Sequence, residues 1–350
     1  MSAPPETPSL GPLTTETSAG ITKPILDLLA RYREIITVAI LVVGCLSFHL
    51  LTLSSNPDNW PSIFANPSNL RAMLVPIAMD VIVAVGMLIV LVCGGFDLSV
   101  GSVLALAGLA TGKVINATGS IPAAVLAGLT VGLVVGSVNG VVVTRFGVNP
   151  LIATLGTMSV ARGLVLADTQ AHGNTRGFPD AFKELAWSPT FGLDAAKLIL
   201  GALVLAVVGD MLLRNSRWLR QVYYIGGNES AARLSGINVP VVRASAYMIC
   251  GLLAALAGVY TASRYGEASG EAGMGLELKI IAACVIGGAS LSGGQGTVLG
   301  AVLGCILMNV IANGLTGKGV EPAWQQVAMG TILIAAVTFD TALTRLRRTR

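Results

Sequence analysis

Ten apolar runs follow one another between residues 35 and 343, most of them close to the length of a membrane-crossing helix. They lie at about 35 to 53, 72 to 93, 98 to 117, 121 to 144, 149 to 167, 196 to 213, 241 to 263, 277 to 290, 297 to 316 and 324 to 343. A spanning helix needs about 20 mostly apolar residues, and the first run is ~28 Å long at about 1.5 Å per residue. The expected fold is therefore all-α, a polytopic membrane protein with about ten transmembrane helices. The runs that start at 98 and 277 are short or broken by glycine, and such spans tend to line a pathway rather than face lipid. Only 11% of the 350 residues are charged, against about a quarter in soluble domains, and the mean hydropathy is +0.76.

The ends read differently. Residues 1–33 are rich in Pro, Ser, Thr and Glu and too poor in apolar side chains to order themselves; a disordered tail is expected there, then a membrane domain over 34–344 and a basic tail over 345–350. Orientation follows from parity, since every second loop shares a side. Lys23, Arg31 and Arg33 precede the first run, Arg214, Arg217, Arg220, Arg233 and Arg243 cluster between the sixth and seventh, and Arg345, Arg347, Arg348 and Arg350 follow the tenth. All three blocks fall on one face. Asp180, Glu184, Asp194, Glu267, Glu271 and Glu321 fall on the other, so the positive-inside rule places both termini and the 214–240 loop in the cytoplasm.

The motifs exclude several functions. Cys45, Cys93, Cys250, Cys284 and Cys305 all sit in apolar runs without CxxC spacing, which speaks against a disulfide framework and against zinc. With His49 and His172 the only histidines, no metal site is expected. No GxxxxGK[ST] phosphate loop is present, and GGQGTVLG at 293–300 lies between hydrophobic runs rather than in a βαβ unit, so no nucleotide cofactor is expected. Paired carboxylates, a nucleophile elbow and HExxH are absent too; the chain does not read as an enzyme. The net charge of +4 forms no basic groove with aromatics, so nucleic acid is not a partner.

Polar and glycine-rich pieces inside the runs are the candidate sites. GGFDLSVG at 94–101 (Gly94, Gly95, Asp97, Ser99, Gly101) recurs as GGASLSGG at 287–294, an internal pseudo-repeat. Asp97 is read as capping the helix that begins near Leu98, with pairing to Arg145 or contact with cargo as the competing roles. Gly132 and Gly136 form a GxxxG pair, read as ordinary close helix packing rather than a dimer seam. Asp80, Asn139, Asn149, Thr154, Thr157 and Asn309 are the polar side chains available to line a translocation path. In the 214–240 loop, a short helix is expected at about 229 to 235, closed by Gly236, with Ala231 and Ala232 leaving a flat surface for a partner.

Four stretches carry a family resemblance: GGFDLSVGS (94–102), NPLIATLGTMSVARGL (149–164), GGNESAARLSGINV (226–239) and VIGGASLSGGQGTVLGAVLG (285–304). Together they resemble the ribose-type permease subunits of bacterial ABC sugar importers, in order and over about residues 35 to 343. The resemblance implies an inner-membrane homodimer in lipid, a periplasmic sugar-binding protein that delivers cargo, and a cytoplasmic ATPase that drives alternating access. It implies a monosaccharide cargo, with a pentose, a hexose or a polyol all compatible. Gly226, Gly227, Asn228, Glu229, Ala231, Ala232 and Gly236 then match the segment that docks into the ATPase, although Ser230 stands where that pattern has an acid. The alternative from the residues alone is an ion-coupled secondary carrier that uses Asp80 or Asp97 as its relay.

Overall fold

The computed structural model describes residues 33–55, 66–187, 193 and 195–348. Lys23, Arg31, Asp194 and Arg350, and most of the expected N-terminal tail, lie outside these residues. Thirteen helices are described: α1 Arg33–Ser55, α2 Pro67–Val92, α3 Val100–Thr118, α4 Ile121–Arg145, α5 Pro150–His172, α6 Asp180–Lys183, α7 Ala196–Asn215, α8 Arg217–Gly227, α9 Glu229–Leu234, α10 Val239–Tyr265, α11 Leu276–Ile286, α12 Val298–Gly317 and α13 Pro322–Arg348. Among the described residues a short ribbon pairs β1 (Thr175–Arg176) antiparallel with β2 (Glu267–Ala268).

Local sequence sets the helix starts. Asn66, Asn149 and Asn238 each cap a helix whose first turn contains proline, accepting from Ser68 N, Leu151 N and Val241 N respectively. Such a cap satisfies an orphan first-turn N–H, and proline there loses nothing because its missing donor had no partner. Asn149, proposed above for a path, is thus engaged as a cap.

Seven helices among the described residues are long and apolar enough to cross a membrane: α2, α3, α4, α5, α7, α10 and α12. The expected ten is met only in part. α1 offers a shorter apolar stretch, Thr37–Leu50, and α13 begins with Trp324, Gln325 and Gln326 and ends in arginines. The run from 277 yields only the 11-residue α11, ~16 Å long, because Gly287 and Gly288 end it: Gly288 turns at φ +99° and its N–H bonds Val285 O. The run from 98, expected to be broken, forms the continuous 19-residue α3.

α2 is the axis, with 83% of its apolar window buried, whereas α4, α5 and α7 turn most of theirs outward. α10 packs along α2, α3 and α4. Gly132 and Gly136 meet Gly251 and Tyr247 of α10 so closely that a Cβ on either would strike backbone. The GxxxG pair is therefore spent on an internal seam, where small residues let backbones approach in a medium without a hydrophobic drive between helices.

The bundle has two distinct ends. At one, Gly294 N donates to Val92 O at 2.8 Å and Tyr223 Oη to Gly296 O at 2.9 Å, gathering the segments after α2, α7 and α11. At the other, the β1–β2 ribbon joins the segments after α5 and α10, and Asn69 and Asn313 exchange amide hydrogen bonds at 2.9 Å. α10 runs between the two ends, ~40 Å at about 1.5 Å per residue.

Candidate functional site

α8 and α9 form a helical hairpin at the first end. α8 buries Val222 and Ile225, so Arg217, Arg220 and Tyr224 fall on its outer face by helical spacing. α9 starts at Asn228, whose side chain accepts from Ala231 N at 3.0 Å. It stops at Gly236 (φ +82°), where Gly236 N bonds Arg233 O and Ile237 N bonds Ala232 O. That left-handed closure favours glycine. The expected flat Ala231–Ala232 surface is corrected: Ala232 is 3% exposed and packs inward, while Ala231 faces out and Leu234 projects at 91% exposure. Leu234 was not singled out from the sequence, although it sits three residues after Ala231 on the same face. A groove of about 670 Å³ runs between the two helices, lined by Arg217, Arg220, Tyr224, Asn228, Ala231 and Ser235 among others.

Glu229 does not face this groove as a free acid. Its carboxylate holds Arg243 of α10 at 2.7 Å and Arg233 at 2.6 Å, and the bonds to Arg243 and then Arg233 draw it below the usual glutamate range. A depressed acid contributes its stability above its unfolded pKa and loses it only as pH falls through the folded one. The clamp between hairpin and α10 is therefore fully charged at neutral pH.

Behind the hairpin, three Gly-Gly pairs from distant parts of the chain interlock. A Cβ on Gly226 would fall inside the contact distance of Val92 O and Gly294 N. One on Gly293 would lie 2.9 Å from Gly226 Cα and 3.0 Å from Gly94 Cα. Gly226, Gly293 and Gly294 thus form a junction with no room for side chains, with the Gly94 backbone packed against it, and Gly294 N supplies the partner that Val92 O lacks at the helix end. The two echoed motifs, separate in sequence, are neighbours here. Gly95 is equally confined, its Cβ position being 2.6 Å from Tyr247 Oη.

Asp97 is 1% exposed and its Oδ1 accepts from Ser99 N at 2.9 Å and Ser99 Oγ at 2.6 Å. α3 has Ser99 rather than Asp97 at its N-cap, and Ser99 makes no side-chain cap bond of its own. Asp97 works one step ahead, closing the turn that leads into the helix. Asn139 Nδ2 reaches Ser99 Oγ at 3.0 Å and Asp97 Oδ1 at 3.4 Å, and Thr157 Oγ1 donates to Asn139 Oδ1 at 2.7 Å, so α3, α4 and α5 share one buried network. Thr154 is buried and donates to Pro150 O. No arginine or lysine among the described residues pairs with Asp97, and its Oδ2 takes no hydrogen bond from them.

Ser290, the counterpart in the echo, accepts from Ser292 N at 3.3 Å, repeating the side-chain turn. It caps no helix, because α12 starts eight residues later with Thr297 accepting from Gly300 N. An asparagine at 97 keeps the oxygen that Ser99 and Asn139 need. Asp97→Asn should hold at least most of the wild-type yield of monodisperse permease and its uptake. Asp97→Ala strands three buried donors, at ~1–3 kcal/mol per unsatisfied group, and should lose most of both.

The second polar cluster joins residues that the sequence offered singly. Asp80 Oδ2 accepts from Lys279 Nζ at 2.6 Å and from Asn309 Nδ2 at 2.7 Å, and Lys279 Nζ also donates to Asn309 Oδ1 at 3.1 Å. The ring links α2, α11 and α12. Lys279 was missed, yet a lone lysine in an apolar run, like Asp80 in its own, implies a partner of opposite charge. Asp80 also lines a cavity of about 330 Å³ that opens between α2, α3 and α10 under the 266–275 segment. Arg162 props that segment from α5, donating to Gly270 O and Ala272 O at 2.8 Å. Gly101 lets it approach, since a Cβ there would strike Gly273 O and lie 2.6 Å from Glu277 Oε2.

Both clusters and the hairpin fall within residues 69–337, over which the chain matches the family described as branched-chain amino acid transport system / permease component. The chain belongs to this permease family. The ribose import permease protein RbsC of Escherichia coli is 36% identical over 280 residues, covering 79% of this chain and 87% of RbsC. The L-arabinose transport system permease protein AraH of Escherichia coli is 37% identical over 321 residues, 91% of this chain and 93% of AraH. The D-allose transport system permease protein AlsC of the same organism is 34% identical over 287 residues, 81% and 87%. No solved structure matches. As a member of the permease family, this multi-pass protein is a transport subunit rather than an enzyme.

Proposed function

We propose that this permease is the membrane subunit of an ATP-driven importer that carries a monosaccharide across the bacterial inner membrane. The relatives named above handle ribose, L-arabinose and D-allose by their names, and the motif resemblance points the same way. In this reading both termini and the α8–α9 hairpin are cytoplasmic. Two copies pair in the lipid bilayer, a cytoplasmic ATPase docks on the hairpin, and a sugar-binding protein delivers cargo at the ribbon end.

The observation that carries the reading is the hairpin. It presents an exposed Leu234 and an arginine-lined groove outward, while its other side meets the ends of both echoed motifs at the glycine junction. A surface that is apolar at its tip, basic at its rim and rigidly tied to the bundle behind it suits a partner that pushes. A carrier driven by an ion gradient has no use for such a handle.

The test is uptake by the complete importer in proteoliposomes. ATP-dependent uptake of one of the three sugars, stimulated by the binding protein, is expected; uptake that needs no ATPase and collapses with the proton gradient would establish the carrier instead. Gly236→Val forces a β-branched residue into the left-handed region, which costs at least ~1–2 kcal/mol, in space that is otherwise open. It should insert normally but co-purify with less ATPase and transport less. Unchanged uptake by this variant would remove the hairpin from the mechanism.

A further inference from the structure

The Asp80 cavity has a composition of its own. At about 330 Å³ it sits at the small end of ligand sites, ~300–1,000 Å³, and has room for a single-ring molecule. Its polar lining consists of the carboxylates of Asp80, Glu267 and Glu271, the hydroxyls of Thr261 and Ser269, and the Tyr265 ring near its mouth; the remaining wall is aliphatic. The cations that balance two of these acids stand outside the lining: Lys279 holds Asp80 and Arg176 holds Glu267 at 2.6 Å.

Asp80 itself is 5% exposed and divides its carboxylate between two tasks. Oδ2 takes both bonds from Lys279 and Asn309. Oδ1 takes none from any described residue, although Asp80 borders the open space. Oδ1 is not among the buried side-chain atoms that lack a partner, so it remains open to a donor that enters the cavity. An ionisable residue ~18 Å along α2 from the glycine junction, deep in the apolar span, is itself a marker of cargo passage.

We propose that this cavity is a monosaccharide-binding site within the permease, in which Asp80 Oδ1 accepts sugar hydroxyls while Lys279 and Asn309 hold Oδ2 in place. The site rests on the importer reading above and deepens it. Hydroxyl donors meeting carboxylate acceptors form charge-assisted bonds, stronger than neutral ones, and an aromatic ring at the mouth offers an apolar plane. The same lining holds three acids and no cation, so an amino acid could pair its ammonium there but would find no partner for its carboxylate. The cargo named in the family description is thus disfavoured at this site, and the sugars named for the relatives are favoured.

Ser269→Cys in full-length permease carrying Cys45→Ser places one accessible thiol at the cavity mouth, the other four cysteines being buried. In lipid nanodiscs, saturating D-ribose, L-arabinose or D-allose should slow alkylation by a small maleimide at least about fivefold, and L-leucine should not. Adding Asp80→Asn should abolish the protection. Because that change leaves Lys279 without its partner, the same measurement is made on Asp80→Asn with Lys279→Gln, which removes both charges. Protection that persists in both variants overturns the role of Asp80. Alkylation indifferent to all three sugars, alongside intact uptake of one of them by the complete importer, overturns the site and leaves the importer reading standing. Protection by L-leucine alone, or neither protection nor uptake of any of the three sugars, overturns both.

Discussion

Gly226→Ala should abolish transport, and Gly227→Ala, one residue later, should leave it close to wild type. A methyl on Gly226 would overlap Val92 O and Gly294 N, both backbone atoms that cannot rotate away, whereas one on Gly227 meets nothing within 4 Å. Forcing a group into a closed contact costs ~1–3 kcal/mol, and more when backbone must move. At about 3 kcal/mol the closed junction falls on the order of a hundredfold in population. Gly227 lies in α8 with ordinary helical geometry, where alanine is the better helix former by about 1 kcal/mol. The readout is sugar-stimulated ATP hydrolysis by the complete importer beside the yield of folded permease. Loss of coupling in Gly226→Ala with normal yield locates the defect in transmission. Wild-type behaviour of Gly226→Ala would mean that the junction opens freely and transmits nothing.

Lys279→Met should be nearly as damaging, through charge rather than shape. It leaves the Asp80 carboxylate, 6% exposed, with Asn309 alone, and breaking a buried pair by removing one partner costs ~3–5 kcal/mol. Little folded permease is expected. Adding Asp80→Asn removes the stranded charge and should restore most of the yield, since replacing both members of a buried pair is close to neutral. Thermal stability followed by fluorescence-detected size exclusion distinguishes the two. A double variant no better than the single one would show that Lys279 works through something other than Asp80.

Hydropathy made the membrane fold legible because bilayer thickness sets a length that any apolar run can be measured against. It failed at α11, where the apolar run continues past the helix: composition counts Gly287 and Gly288 as compatible with a span, while their backbone turns out of it. Asp80 and Asn309 were legible as polar intruders, but not as partners, because 229 residues separate them and no periodicity reports a contact at that range. Lys279 was hidden for the same reason. The Asp97 turn was nearly readable, off by the two residues that distinguish a turn-closing aspartate from an N-cap. Gly226 could be recognised only as part of the 226–239 stretch, since a glycine chosen for close approach and one tolerated on a surface look identical in a string of letters. Ala232 shows the reverse limit: the alanine pair looked uniform, and helical phase turned one inward.

The Asp80 ring also sets a schedule. Its aspartate lies 199 residues before Lys279 and 229 before Asn309, and synthesis proceeds at ~5–20 residues per second. For ~10–40 s the nascent chain therefore holds a completed α2, apolar on every side and bearing one carboxyl, without the two helices that satisfy it. During that interval its carboxyl has neither of the two partners that hold it in the finished bundle. Closing the bundle around Asp80 therefore waits for α11 and α12, which are made long after α2.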